Sequence, residues 1–466
     1  MNVKLVFLPA MNSHNTFEKL HIPPLALYVL ASVLQKEGHI VGVIDPCEFI
    51  RFELSNNIIQ DCVGHIEEQT QNSEIIAFSS NTFNWGITKI VINKLSNSKN
   101  KHIIIGGLHP SIFDVYALQT TKAEFILRGE GEISFVELLN KLERKESYKD
   151  ILGLTYKYNG EIIRSENHQS ISQNTLINLP YPAYSLIPEN KGYIQLPIES
   201  SRGCAFSCAF CSIPHRHNWR GFDVKNVIDR IEYAMNSTNG IMENDNILFV
   251  DDCFSIDTDR AIQILHFINK RYNGSKKVFI EVRISNIIKG NFLEKIPPNI
   301  IYGMQIGVEC GYDEGLNKIK KGISISQLFE GLDIIYNTGY ENVCFLSFII
   351  GFPWETKKEI SLTLDTIEKI TSKYGILCNV NWLMLLPSDL WNERESYNII
   401  VDESIFDNPL WIESESYFKI AHPLITNEVF DYVDKRMQIM KEKYLNVSYN
   451  RINIKDKGEN YMDRRW

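Results

Sequence analysis

The stretch Ser201-Arg202-Gly203-Cys204-Ala205-Phe206-Ser207-Cys208-Ala209-Phe210-Cys211 decides how this chain is read. Its C-x3-C-x2-C spacing presents three thiolates from one short loop, with no fourth cysteine nearby. A 4Fe–4S cube held by three cysteines leaves one iron without a protein ligand, and that iron can take a substrate. Zinc asks for four protein ligands, or three and a water. His215 and His217 are the residues that could complete such a site. A set of core cysteines is a poor description, because Ser201-Arg202-Gly203 and Ser212-Ile213-Pro214 surround the run with loop formers.

Working outward, strand and helix patterns alternate on both sides. The cysteine loop follows a strand at Ile194–Glu199. Further strands are expected at Asn246–Val250, ending in Asp251-Asp252, at Val278–Ile284, containing Arg283, and at Gly303–Val308, ending in Glu309. Two more follow at Cys344–Ile350, which runs into Gly351-Phe352-Pro353-Trp354-Glu355, and at Asn379–Leu386. Six strand–helix units fall short of a closed eightfold barrel. Residues 195–390 are therefore expected to form an open, partial barrel with polar residues at its strand tops. Residues 391–466 are aromatic-rich, carry a helix near Glu428–Tyr444, and read as a small C-terminal cap.

Residues 1–150 show the same alternation, with strands at Val3–Pro9, His39–Asp45, Glu74–Ser80, Lys101–Gly106 and Phe125–Leu127. Strands separated by helices imply a parallel sheet with right-handed crossovers, whose ligands bind beyond the carboxyl ends of the strands. Those ends carry Ser79, Ser80, Asn81, Thr82, Gly106, Gly107, Gly129 and Gly131, small residues that let a large ligand approach the backbone. Residues 151–194 read as a linker with a hairpin at Asn159-Gly160.

Composition narrows the class. The chain has 466 residues, 44% hydrophobic and 23% charged, as a multidomain globular protein does. A net charge of −9 argues against a nucleic-acid surface. The apolar run Val343–Phe352 is too short to span a bilayer. Six of the nine cysteines are scattered singly, which points to a reducing interior without disulfides. The expectation is a cytoplasmic enzyme with neither nucleic acid nor membrane as partner.

The chain resembles the radical S-adenosylmethionine superfamily, within it the subgroup with an N-terminal cobalamin-binding domain. The anchor is Glu199-Ser-Ser-Arg202-Gly203-Cys204…Cys208…Cys211, followed by Trp219-Arg220. Phe249-Val-Asp251-Asp252-Cys-Phe254, Gly307-Val-Glu309-Cys-Gly311, Lys320-Lys321-Gly322 and Gly351-Phe-Pro353-Trp-Glu355 follow in order. Upstream, Ile22-Pro23-Pro24-Leu25-Ala-Leu27, Gly106-Gly107-Leu-His109-Pro110 and Gly129-Glu130-Gly131-Glu132 are similar to the family's cobalamin domain, and the likeness covers roughly residues 1–390. The implied fold is α/β: a Rossmann-like cobalamin-binding domain, then a partial (β/α)6 TIM-like barrel.

The resemblance implies that Cys204, Cys208 and Cys211 hold a 4Fe–4S cluster to which S-adenosylmethionine binds. Asp251 or Asp252 would meet its ammonium group, Arg283 its carboxylate and Glu309 its ribose. Phe210 would lie near the adenine, and Gly351 and Glu355 would shape the pocket floor. Ser79, Ser80, Asn81, Thr82, Gly106, Gly107, His109, Gly129, Glu130 and Gly131 are the implied cobalamin residues. Asp61-Cys62-Val63-Gly64-His65 departs from the D-x-H-x-x-G spacing of cobalt-ligating histidines, so the cobalamin would be bound without one. Ser388-Asp389 stands where the family has Gly-Thr. The implied activity is methylation of an unactivated carbon in a natural-product or peptide intermediate, fed by a one-electron reductant such as flavodoxin or ferredoxin. The alternative is ring closure, ring contraction or another rearrangement without methyl transfer.

Overall fold

A computed structural model describes residues 1–12, 16–53, 55, 57–96, 101–167, 170–189, 192–213, 215–238 and 246–450. The backbone forms two compact units. The first comprises Met1–Leu196, Arg230–Asn244 and Asp402–Trp411; the second comprises Pro197–Asp229, Asp245–Val401 and Ile412–Trp466. Residues 391–466, read from sequence as a cap, thus divide between the two units.

In the first unit, β1 (Asn2–Val6), β2 (Ile40–Ile44), β3 (Ile75–Ser79), β4 (His102–Gly106) and β5 (Phe125–Leu127) lie in the order β2-β1-β3-β4-β5, all parallel. Parallel strands must be covered on both faces. Accordingly Ile75, Ile76, Ala77 and Phe78 of β3 are all buried, whichever side they point to. The switch in strand order falls between β1 and β3, where such sheets open a ligand crevice. The expected hairpin is present as β6 (Leu154–Tyr158) and β7 (Glu161–Arg164). Asn159 (φ 51°) and Gly160 (φ 86°) make its two-residue turn, which needs positive φ at both positions. β6 pairs antiparallel with β5, so the segment read as a linker extends the sheet.

Residues 402–411 complete this unit from far along the chain. Asp407 accepts from Trp85 Nε1 at 3.0 Å and from Lys89 Nζ at 2.6 Å, and also from the Tyr116 hydroxyl. Trp411 Nε1 donates to the Thr82 carbonyl at 3.3 Å. Gly86 leaves room for the segment: a Cβ there would stand 2.7 Å from the Pro409 nitrogen.

The second unit begins with β8 (Leu196–Ile198) and a two-residue antiparallel pair, β9 (Ser201–Arg202) with β10 (Arg220–Gly221). β11 (Ile247–Phe249), β12 (Val278–Val282), β13 (Ile301–Glu309), β14 (Cys344–Ile350) and β15 (Leu377–Trp382) follow. They pair in sequence order, the expected six strands of an open barrel. A seventh, β16 (Val447–Asn450), adds to β15 in parallel and was not foreseen. Alternation with period two assigns the faces. Val278, Ile280, Val282, Met304, Ile306, Val308, Leu346, Phe348 and Val380 are buried on one side. Glu281, Arg283, Gln305, Glu309, Ser347 and Asn379 fall on the other, and that polar face is where a site can form.

Candidate active site

The cysteine loop is built into the second unit by its backbone. Gly203 (φ 82°) turns so tightly that a Cβ would lie 2.3 Å from the Asn218 carbonyl oxygen, which only glycine tolerates. Cys204 N donates to His215 O at 3.2 Å, and Ala209 N to Ile319 O at 3.0 Å. Arg216 ties the loop down, donating to Cys208 O at 3.1 Å and to Asp389 Oδ1 at 2.6 Å. Asp389, a position where the sequence departs from the family pattern, is therefore a structural anchor of this loop.

Cys208 is buried, while Cys204 and Cys211 are partly open. Burial pushes the Cys204 thiol up and that of Cys211 up to about 11, with the neighbouring thiols adding to the effect. Such thiols ionise readily only when a metal takes them. His217 is exposed and His215 half-buried. The donor set fits a cuboidal cluster: three soft thiols on one loop and a cation at hand. That cation is Arg283, whose Nη1 lies 3.5 Å from Cys208 Sγ and whose guanidinium stacks 3.8 Å from the centre of the Phe206 ring. Its Nη2 donates to the Lys321 carbonyl. Neither Glu281 nor Asp252 is its hydrogen-bond partner.

The two strand-end aspartates separate into different roles. Asp251 is buried and accepts from Ser200 N at 2.7 Å, Ser200 Oγ at 2.6 Å and Ser201 Oγ, so it braces the chain entering the loop. Asp252 is the partly open member. Burial, with the charge of Asp251 next in weight, pushes its carboxyl up to about 6.

Glu309 closes β13 with φ 77°, a left-handed conformation uncommon for a side chain of this size. Its Oε1 pairs with Lys321 Nζ at 2.9 Å, both side chains 7% exposed. Gly307 makes room, since a Cβ there would stand 2.2 Å from that oxygen. Lys321 Nζ also lies 5.8 Å from the Phe210 ring centre, and Phe210 meets Phe352 edge-on at 6.2 Å. Phe210, Glu309, Arg283 and the Gly351 turn are thus brought together through Lys321 and Phe352. Lys321 lies in the Lys320-Lys321-Gly322 motif, but its pairing with Glu309 across the turn after β13 leaves no periodic signal in the sequence.

Glu355 supports the pocket from behind. It is fully buried and accepts from Gly351 N (2.7 Å), Phe352 N (3.0 Å) and Tyr312 Oη (3.0 Å). Burial outweighs these donors and pushes its carboxyl up to about 7. Gly351 (φ 80°) is packed against Trp382 and His422, and the His422 ring nitrogen Nδ1 lies 2.7 Å from the Gly351 carbonyl. A carbonyl only accepts, so Nδ1 carries the proton.

In the first unit, the loops after β3, β4 and β5 divide into a face and its backing. Ser79, Asn81, Gly106, Gly107, Gly129 and Gly131 are partly or fully open. Ser80, Thr82, His109 and Glu130 are buried. Asn84 organises the first loop, its Oδ1 accepting from Ser80 Oγ (3.0 Å) and Asn81 N (2.9 Å) while its Nδ2 donates to Leu8 O (2.6 Å). Gly107 (φ 100°) presses on that loop: a Cβ would lie 2.4 Å from Ser80 O. A Cβ on Gly129 (φ 78°) would meet nothing within 4 Å. The result is a side-chain-poor shelf suited to a broad, flat ligand. His109 cannot touch such a ligand. It stacks on Trp85 at 4.8 Å, and burial pushes its imidazole down to about 3. His65 is likewise engaged, between Arg51 and Glu48.

Two α/β units, each built on a mostly parallel sheet, and a three-thiol loop whose donors fit an iron–sulfur cluster define the class of protein to which this chain is similar. Residues 198–367 match the model of the radical SAM superfamily. An uncharacterized methyltransferase of Pyrococcus horikoshii, PH0819, is 30% identical over 397 residues, 80% of this chain and 79% of that protein. The hopanoid C-3 methylase of Methylococcus capsulatus is 25% identical over 334 residues, 69% of this chain and 60% of that protein. The structure of the radical S-adenosylmethionine methyltransferase TsrM from Kitasatospora setae, with cobalamin and a 4Fe–4S cluster bound, superposes with a TM-score of 0.63. That match has 16% identity and covers 84% of this chain and 76% of TsrM. The chain belongs to the radical S-adenosylmethionine superfamily, and its fold is that of the cobalamin-dependent members. Among the described residues no helix is long and apolar enough to cross a membrane.

Proposed function

We propose that this chain is a cobalamin-dependent radical S-adenosylmethionine enzyme that methylates an unactivated carbon of a small-molecule or peptide intermediate, with an electron from a flavodoxin- or ferredoxin-type donor. The observation that carries the reading is the three-thiol loop with the Arg283 guanidinium against Cys208. When bound, a 4Fe–4S cluster with one open iron supplies one-electron cleavage of the S-adenosylmethionine sulfonium, and a corrinoid supplies a methyl carrier.

The chain's own residues bind and orient. Arg283, held by Phe206 and the Lys321 carbonyl, keeps its positive charge facing the thiols and the methionine carboxylate. Asp252 is the carboxylate left to receive the ammonium group, since Asp251 is occupied by Ser200 and Ser201. Lys321 fixes Glu309 for the ribose hydroxyls, and Phe210 and Phe352 form an apolar wall for the adenine. Ser79, Asn81, Gly106, Gly107, Gly129 and Gly131 make the corrinoid shelf, with Ser80, Thr82, His109 and Glu130 as its backing. The methyltransferase names of the relatives support the same outcome.

The test is anaerobic turnover of protein reconstituted with iron, sulfide, hydroxocobalamin and reductant, using methyl-labelled S-adenosylmethionine. Both 5′-deoxyadenosine and S-adenosylhomocysteine are expected, with label in the methylated product. Formation of 5′-deoxyadenosine alone would sink methyl transfer. Cys204→Ala, Cys208→Ala and Cys211→Ala should each abolish the cleavage.

A further inference from the structure

The first unit contains a cavity that none of this chemistry uses. It measures about 440 Å³, within the roughly 300–1,000 Å³ of small-molecule sites. It opens beyond the carboxyl end of β2, between the chain after β1 (Glu18–His21), the turn Pro46–Arg51 and the strap Gly192–Ile194. β2 is the edge strand, separated from β3 by β1. The cavity therefore lies across β1 from the loops assigned to the corrinoid.

Its walls are of two kinds. Leu20, Pro46 and Ile50 are apolar, and Lys19, His21 and Arg51 are basic, outnumbering the single acidic lining residue, Glu18. In a chain of net charge −9 that gathering is unusual. Neither Lys19 nor Arg51 has a carboxylate within ion-pair distance, and the His21 ring has no hydrogen-bond partner, among the described residues. Arg51 is nonetheless held still. Its Nη2 donates to His65 Nδ1 at 2.7 Å, so His65 carries its proton on Nε2 and donates to Glu48 Oε2 at 3.0 Å. Glu48 Oε1 in turn accepts from Asp45 N at 2.9 Å. The guanidinium is thus oriented by the His65 ring and lies 4.8 Å from the Phe52 ring centre, with the Glu48 carboxylate beyond His65; among the described residues no carboxylate pairs with it directly, so its outer face can take an external anion. Tyr193, which lines the cavity, is fixed from behind, its hydroxyl and that of Tyr28 both donating to the buried Asp45.

We propose that this cavity binds a second ligand, a small molecule whose carboxylate or phosphate meets Lys19, His21 and Arg51 and whose apolar body lies on Leu20, Pro46 and Ile50. The site is independent of the corrinoid shelf.

The experiment is calorimetric titration of the full chain, at constant ionic strength in chloride, with hexanoate and separately with inorganic phosphate. At least one is expected to bind saturably, and at least ten-fold more weakly to Lys19→Gln/Arg51→Gln; the tighter of the two identifies the anionic group. Ile50→Trp fills the cavity while leaving the charges, and should abolish binding as well. Hydroxocobalamin retention should be the same in all variants, which separates this site from the corrinoid reading. Absence of saturable binding by both anions, equal affinity in the double variant, or undiminished binding to Ile50→Trp would each overturn the proposal.

Discussion

Asp407 and Trp85 stand 322 positions apart, yet the Trp85 indole donates to the Asp407 carboxylate at 3.0 Å while Lys89, one helical turn on, pairs with its other oxygen at 2.6 Å. The pair binds residues 402–411 against the helix that follows the Ser79–Asn84 loop. Lys89 is 15% and Asp407 27% exposed, so the contact is shielded enough to matter. Asp407→Ala leaves the indole and the ammonium unanswered and should cost about 2–3 kcal/mol in urea unfolding. Asp407→Asn keeps an acceptor for Trp85 and should cost about half as much.

Lys321 neutralises a carboxylate that is held at an unfavourable backbone angle. Lys321→Met would leave Glu309 buried and unpaired, a penalty of about 3–5 kcal/mol when one partner of such a pair is removed. Equilibrium binding of S-adenosylmethionine should weaken by at least ten-fold, and Lys321→Arg should recover much of it. Unchanged affinity in Lys321→Met would contradict the role given to the pair.

Gly351→Ala tests the turn that ends β14. The left-handed φ alone costs about 1–2 kcal/mol for a residue with a Cβ. That Cβ would also lie 2.7 Å from the Trp382 ring and 2.8 Å from the His422 ring, adding about 1–3 kcal/mol. The denaturation midpoint should fall accordingly.

His422 gives a pH dependence. Burial pushes its imidazole down to about 4, while the unfolded chain takes up the proton near 6.5. Below pH 6.5 the unfolded state binds the extra proton, so stability falls with falling pH until the folded value is passed. The contribution, present in full above pH 6.5, amounts to about 3 kcal/mol. His422→Gln can still donate to Gly351 and does not titrate. The difference in unfolding free energy between wild type and variant should shrink by that order between pH 7 and pH 4, and a constant difference would refute it.

The strands of both sheets were legible because each is a short apolar run that ends in small or acidic residues. The site was legible where its parts are contiguous, as in Cys204–Cys211 and Gly351–Glu355. Asp251 and His109 were placed at the right strand ends but not on the right side of them, since facing inward or outward is fixed by neighbours such as Ser200 and Trp85. The pairing of Asp407 with Lys89 and the addition of β16 were illegible. Both join segments that are distant along the chain, and neither leaves a periodic trace in composition.

β16 and the 402–411 segment share a further property: each is synthesised after the surface it covers. On the ribosome, the surface of the Trp85 helix must wait bare until residues 402–411 have emerged, and the edge of β15 until Val447–Asn450 have. Nascent chains interrupted after residue 400 would display an uncovered strand and an exposed indole in the same molecule, a species for chaperones and proteases.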